Sequence, residues 1–368
     1  MGALTMPGLR SRRATTGLVI ALSVSLIGAG WSPRTAVAAG PTLAQLIGQK
    51  LIVRMDGPTP SAGLLGRIRR GEVGGIILFG SNITTPTALI ALTTKLRAAA
   101  AAGGQPRLLI AVDQEGGSVK RIPWIPPTLS PPQMGSIARS SVAYAQGAST
   151  GAGLRGLGID VDFAPVADVP ASTSSFMYLQ GRTFSFSAPR TAALADAFAS
   201  GLESKGVVPS MKHFPGIGFA TRNTDAYVVT ITASRAALAA GLLPYQLAIG
   251  HHVPLIMLSN ATYPAYDAHN AAGWSHEIGT TLLRNQLGFT GVTITDSLDG
   301  TAMARGLWTR VLAVSAARAG TDMILTTGSE LSTSGVYATL LRQAQEGLIP
   351  LSTLRASYAR IVALKARL

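Results

Sequence analysis

Val207-Val208-Pro209-Ser210-Met211-Lys212-His213-Phe214-Pro215-Gly216-Ile217-Gly218 decides how the rest of the chain is read. A short apolar run stops abruptly at a Lys-His pair, and a Pro/Gly turn follows. This is the pattern of a buried strand that delivers polar side chains to a pocket at its carboxyl end. Lys and His do not sit at the mouth of an apolar core without a partner to neutralise or hydrogen-bond them, so a negatively polarised ligand is a natural occupant. Taken alone, the stretch also fits a strand end with two solvated polar residues.

Seven further runs resemble it. They are Leu51-Ile52-Val53, Gly75-Ile76-Ile77-Leu78-Phe79, Leu108-Leu109-Ile110-Ala111-Val112, Ile159-Asp160-Val161-Asp162-Phe163, Leu255-Ile256-Met257-Leu258, Val292-Thr293-Ile294-Thr295 and Met323-Ile324-Leu325. Runs without polar alternation fit parallel strands covered on both faces. Segments of helical composition separate them, at 86–102, 189–205, 234–249, 275–287 and 301–319, with two more at 331–346 and 351–368. Strands alternating with helices imply a parallel α/β sheet. Eight units over about 320 residues predict a closed (β/α)8 TIM barrel in a single domain, residues 39–368. An open doubly wound sheet is the rival, and the absence of a Gly-x-Gly-x-x-Gly turn after the first strand argues against its dinucleotide-binding form.

In such a barrel the chemistry lies at the carboxyl ends of the strands. Those positions are polar here: Asp113-Gln114-Glu115 after the third strand, Lys212-His213 in the fifth, Ser259-Asn260 after the sixth, and Asp296-Ser297 after the seventh. A loop after the fourth carries Gly181-Arg182-Thr183-Phe184. Asp296 alone reads as a helix cap. Five polar clusters on one rim read as a site.

Composition narrows the chemistry. Among 368 residues 47% are hydrophobic and 13% charged, enough for a large core. There is no Cys, which excludes disulfides, thiolate catalysis and Cys-ligated zinc. None of the five His forms an HExxH pattern, so no metal site is expected. The net charge of +14 suits anionic surfaces such as cell-wall polymers. No dense basic run with interleaved aromatics marks nucleic-acid binding, and no obligate protein partner is evident. Arg10, Arg12 and Arg13 precede an apolar stretch over residues 16–30, and Ala36-Val37-Ala38 follows. This predicts a secretory signal peptide, residues 1–38, and a secreted protein; the Arg12-Arg13 pair loosely matches the twin-arginine signal. An uncleaved membrane anchor is the alternative, although the apolar stretch is short for a span of roughly 20 residues. Cleavage would leave 27 basic and 17 acidic residues, a net charge of +10.

Several motifs occur in order: Asp113-Gln114-Glu115-Gly116-Gly117 with Arg121 behind it, Ala164-Pro165-Val166-Ala167-Asp168, Lys212-His213-Phe214-Pro215-Gly216, and Gly288-Phe289-Thr290-Gly291-Val292 leading to Thr295-Asp296-Ser297-Leu298. Together they resemble glycoside hydrolase family 3, and most of all its single-domain bacterial β-N-acetylglucosaminidases acting on cell-wall glycans. The resemblance covers residues 43–328. It implies a retaining β-N-acetylhexosaminidase with Asp296 as nucleophile. Asp113, Arg121, Arg182, Lys212 and His213 would then bind an N-acetylglucosamine-containing glycan, with no metal or cofactor.

The pattern breaks at one place. The glucosaminidase branch has a His within Lys-His-Phe-Pro-Gly-His-Gly and, a few residues later, an Asp-Ser-His whose His is the general acid/base. Here the first is Ile217, and the triplet reads Asp225-Ala226-Tyr227. A phenol with a pKa near 10 is a poor base at neutral pH. Three readings stay open. Another carboxyl, Asp225 or Asp299, supplies the proton; an external anion such as phosphate does; or the chain is a catalytically impaired glycan-binding protein on the same barrel.

Overall fold

All eight expected strands form. In the computed structural model, which describes residue 17 and residues 40–368, they are β1 (Leu51–Arg54), β2 (Gly75–Ile77), β3 (Leu109–Val112), β4 (Val161–Asp162), β5 (Val208–Phe214), β6 (Leu255–Leu258), β7 (Val292–Thr295) and β8 (Ile324–Thr326). They pair in parallel in the spatial order β7-β6-β5-β4-β3-β2-β1-β8. A parallel bridge between Ile294 and Met323 joins the two ends. There the Thr295 N–H donates to the Met323 carbonyl at 3.1 Å, and the Met323 N–H donates to Thr293 at 2.8 Å. The sheet is therefore a ring, which rules out the open doubly wound alternative. Residues 41–368 form one unit. The expected signal peptide and its cleavage site at Ala38 lie outside the described residues.

The doubly apolar strands reflect two separate cores. Leu51 and Val53 face the surrounding helices, while Ile52 joins an inner cluster with Ile77, Leu109, Val161, Leu255 and Val292. The two-residue period sends alternate side chains to opposite faces, and both faces are dry. Ile361 and Leu364 of the carboxyl-terminal helix Leu351–Lys365 join the inner cluster. The same helix is anchored at the amino ends of the strands, where Lys365 Nζ donates to the Gly74 carbonyl at 2.8 Å. This helix stoppers one mouth of the barrel, and the other mouth stays open for chemistry.

Local signals explain most helix starts. The helix Pro86–Ala102 begins where Thr85 Oγ1 accepts the Ala88 N–H, with Pro86 at its first position. Ser187, Ser234 and Ser329 cap the helices Ala188–Glu203, Arg235–Gly250 and Glu330–Gln345 in the same way. Two expectations need correction. The segment 301–319 is two helices, Leu298–Ala304 and Thr309–Ala319. Gly306, at φ 66°, ends the first in the left-handed region that a side chain disfavours. The segment 275–287 is wound more widely, as a π-helix over Glu277–Gln286.

Candidate active site

The open mouth holds a hollow of about 670 Å³, part of it open to solvent, with Ile77, Met257 and Leu325 as its apolar floor. Charged side chains form one wall. Lys212 Nζ lies 2.7 Å from Asp113 Oδ1 and 2.7 Å from Glu115 Oε1. Arg182 holds Glu115 bidentately at 2.8 and 2.7 Å. Burial alone would raise the Glu115 pKa, but the Lys212 and Arg182 charges and their hydrogen bonds win and bring it down to about 2. Burial likewise opposes the charge on Lys212, and Asp113 with Glu115 restores it, so its pKa is raised. The result is a prepaired cradle in which Asp113 and Lys212 still line the hollow. Arg121 lines it too, with its guanidinium 5.6 Å from the centre of the Phe79 ring.

Lys212 and His213 are adjacent, and a regular strand would turn them to opposite faces. The register of β5 against β6 shifts between Met211 and Phe214, and both side chains line the hollow. Such irregularities re-aim side chains. Asp168 fixes the result: its carboxylate lies 2.8 Å from His213 Nδ1 and accepts the Ile217 N–H at 2.8 Å. This leaves His213 Nε2 directed at Asp296, 3.8 Å from Oδ2.

Asp296 follows β7 and lines the hollow, and its Oδ1 accepts the Ser297 N–H at 2.8 Å. Asp225 lines the same hollow from the loop after β5. Asn260 ties Asp225 to the chain just after Asp296, as its Nδ2 donates to Asp225 Oδ1 at 3.1 Å and to the Ser297 carbonyl at 2.8 Å. Partial burial, followed by the nearby Asp296, pushes the Asp225 carboxyl up to about 7, against the opposing pull of His213, Asn260 and Arg182. Two carboxyls in one hollow, one of them raised toward neutrality, form the acid/base pattern of glycoside hydrolysis.

The family model "Glycosyl hydrolase family 3 N terminal domain" matches residues 42–364. The chain belongs to glycosyl hydrolase family 3. An uncharacterised secreted glycosyl hydrolase from Arthroderma benhamiae is 33% identical over 334 residues, covering 89% of this chain and 94% of that one. The β-N-acetylhexosaminidase of Beutenbergia cavernae superposes with a TM-score of 0.82 at 30% identity, covering 89% of this chain and 99% of that one. The β-N-acetylglucosaminidase of Paenibacillus sp. superposes with a TM-score of 0.84 at 29% identity; 89% of this chain matches 62% of that longer one. The family 3 chain is thus a glycoside hydrolase of β-N-acetylhexosaminidase-like type on a (β/α)8 barrel.

All seven residues singled out from the sequence, Asp113, Arg121, Arg182, Lys212, His213, Asp225 and Asp296, line this one hollow. Ile217 also lines it, an apolar wall where the glucosaminidase branch carries a His. The other candidates for the proton do not line it. Tyr227 is 44% exposed, with the Arg222 guanidinium 3.6 Å from its ring centre. Asp299 is occupied as a staple, accepting from Thr309 Oγ1 and the Thr327 N–H. Sequence reasoning left Glu115, Asp168 and Asn260 without roles, although each stood inside a motif or strand end already noted. Nothing local marks Asp162 as a support. It is fully buried beneath the cradle, accepts the Gln114 N–H at 2.9 Å, and is pushed up to about 8 by that burial.

Proposed function

We propose that this family 3 protein is a secreted β-N-acetylhexosaminidase that cleaves N-acetylglucosamine-containing cell-wall-type glycans with retention of configuration. Asp296 attacks the anomeric carbon as the bond to the leaving oxygen breaks, and Asp225 gives that oxygen its proton. Water then attacks the glycosyl–Asp296 ester, Asp225 takes the water proton, and Asp296 leaves as a carboxylate. Asp113, Lys212, Arg182 and Arg121 bind the sugar hydroxyls through charge-assisted hydrogen bonds. His213, oriented by Asp168, steadies the nucleophile.

One observation carries the reading: Asp225 and Asp296 line one hollow, and Asn260 holds Asp225 against the backbone of Ser297, the residue next to Asp296. Export is supported by the basic and apolar amino-terminal pattern and by the secreted relative. Among the described residues no helix is long and apolar enough to cross a membrane. A glycan-binding protein without turnover is the second reading, favoured by Ile217 and Tyr227, which stand where the glucosaminidase branch carries His. The test is incubation with an aryl β-N-acetylglucosaminide, following the anomer of the released sugar by NMR. Release of the β-anomer first supports the proposal. Absence of release, with binding of the sugar retained, selects the second reading.

A further inference from the structure

The wall of the hollow built from the loops after β4 and β5 turns outward into a ridge of aromatic rings. In the short helix Phe176–Leu179, Phe176 and Met177 line the hollow, while the neighbouring Tyr178 is 40% exposed. Its ring lies against Phe186, itself 46% exposed, with centres 4.8 Å apart. Phe186 and the 41% exposed Phe219 border a groove floored by Pro215, Gly216 and Gly218. That floor is the stretch whose Ile217 lines the hollow from the other side. Tyr178 and Phe186 also border a second groove, which presents Ser136, Ser185 and Arg190. The ridge is therefore continuous with the catalytic hollow and edged with hydrogen-bonding groups.

Three large rings exposed together at one rim are costly to leave in water and mark a binding surface. The chemistry of the edges selects the occupant. A pyranose ring presents a face of C–H groups bordered by hydroxyls. The electron-rich faces of Tyr and Phe attract the C–H groups, and hydroxyl and guanidinium donors meet the border. Position selects which sugars. The leaving group must lie beside the proton donor, Asp225, and Asp225 and Phe219 belong to the same connection between β5 and the helix Arg235–Gly250. We infer that Tyr178, Phe186 and Phe219 bind the leaving-group sugars of a longer β-linked N-acetylglucosamine chain. This inference rests on the hollow being a β-N-acetylhexosaminidase site.

The experiment compares wild type with Phe186→Ala and Tyr178→Ala on an aryl β-N-acetylglucosaminide and on β-linked N-acetylglucosamine oligomers of two to five sugars. The wild type should show kcat/KM rising with oligomer length. Each variant should lose roughly 10-fold on the longer oligomers, equivalent to about 1.4 kcal/mol of ring contact. The aryl substrate, which carries no leaving-group sugar, should be cleaved as well as before, and Phe186→Trp should restore the length dependence. No length dependence in the wild type, or equal losses on aryl and oligomeric substrates, overturns the inference. Calorimetry on Asp296→Asn with and without Phe186→Ala keeps the two proposals separable. If no substrate is cleaved, tighter binding of the tetramer than of the monomer that disappears with Phe186 still supports the ridge, and equal binding overturns it.

Discussion

In the proposed mechanism Asp225 carries the proton: burial, then the nearby Asp296, raise its carboxyl from 3.8 to about 7, which suits a group that must keep a proton near neutral pH. Turnover of glycosides with poor leaving groups should fall as pH rises above about 7, while activated aryl glycosides should show no such limb. Asp225→Ala should lose roughly 10²–10⁴-fold on the former and little of the bond-breaking step on the latter. Stability follows the same group. The folded chain holds this proton to about pH 7 and the unfolded chain only to about pH 4, so its contribution to stability falls between those values. Asp225→Asn should therefore melt above wild type at pH 8 and beside it below pH 4, as calorimetry can show. Glu115 has the opposite sign: its pKa is lowered to about 2, so its stabilisation is present above 4.5 and is lost as pH falls toward 2. Glu115→Gln leaves Lys212 and Arg182 poorly matched in a buried place and should cost about 3–5 kcal/mol in denaturant unfolding near pH 7. The residues that touch the hollow were legible as strand-end polar clusters. Their supports, Glu115, Asp168 and Asn260, were visible as letters but not as roles, since pairing partners 35 or more residues apart in sequence leave no local signal.

At the scale of elements, strands were easier to read than helices. Eight aliphatic runs became eight strands because burial on both faces leaves an unbroken apolar signature. The helix Ser140–Gly156 is harder to see, being rich in Ser, Gly and Thr that disfavour helices. It forms because those small residues let it pack close to Ala188–Glu203: a Cβ on Gly147 would strike the Phe198 carbonyl. Tertiary contact decides such an element, and a window of sequence does not contain that contact. The helix Leu298–Ala304 uses the same device at the site. A Cβ on Gly300 would collide with the Asp225 carbonyl, so Gly300→Ala must push the Asp225 loop away from Asp296. The variant should keep its melting temperature within a few degrees and lose activity, mostly on substrates that need the proton. Full activity in a folded Gly300→Ala would show that the approach of that loop is dispensable.

For the whole molecule, ring closure is what makes a site from distant residues. Asp113 leaves β3 and Asp296 leaves β7, and only a barrel brings both to one mouth. The opposite mouth has to be closed for the cylinder to hold. Leu364, buried in the inner cluster, does this with Ile361. Leu364→Ala should cost about 2–5 kcal/mol of unfolding free energy without altering KM, because the cavity forms far from the sugar. The barrel was legible from strand count and alternation. Its closure through the single bridge at Ile294 and Met323 was not, since one bridged pair carries no pattern. The central claim, that Asp296 becomes joined to the sugar, is tested most directly by trapping. The protein is incubated with a fluorinated N-acetylglucosaminyl donor whose intermediate breaks down slowly, then digested and sequenced by mass spectrometry. The account predicts one added sugar, on Asp296, and none on Asp296→Ala. A label on any other carboxyl, or turnover that persists in Asp296→Ala, would contradict it.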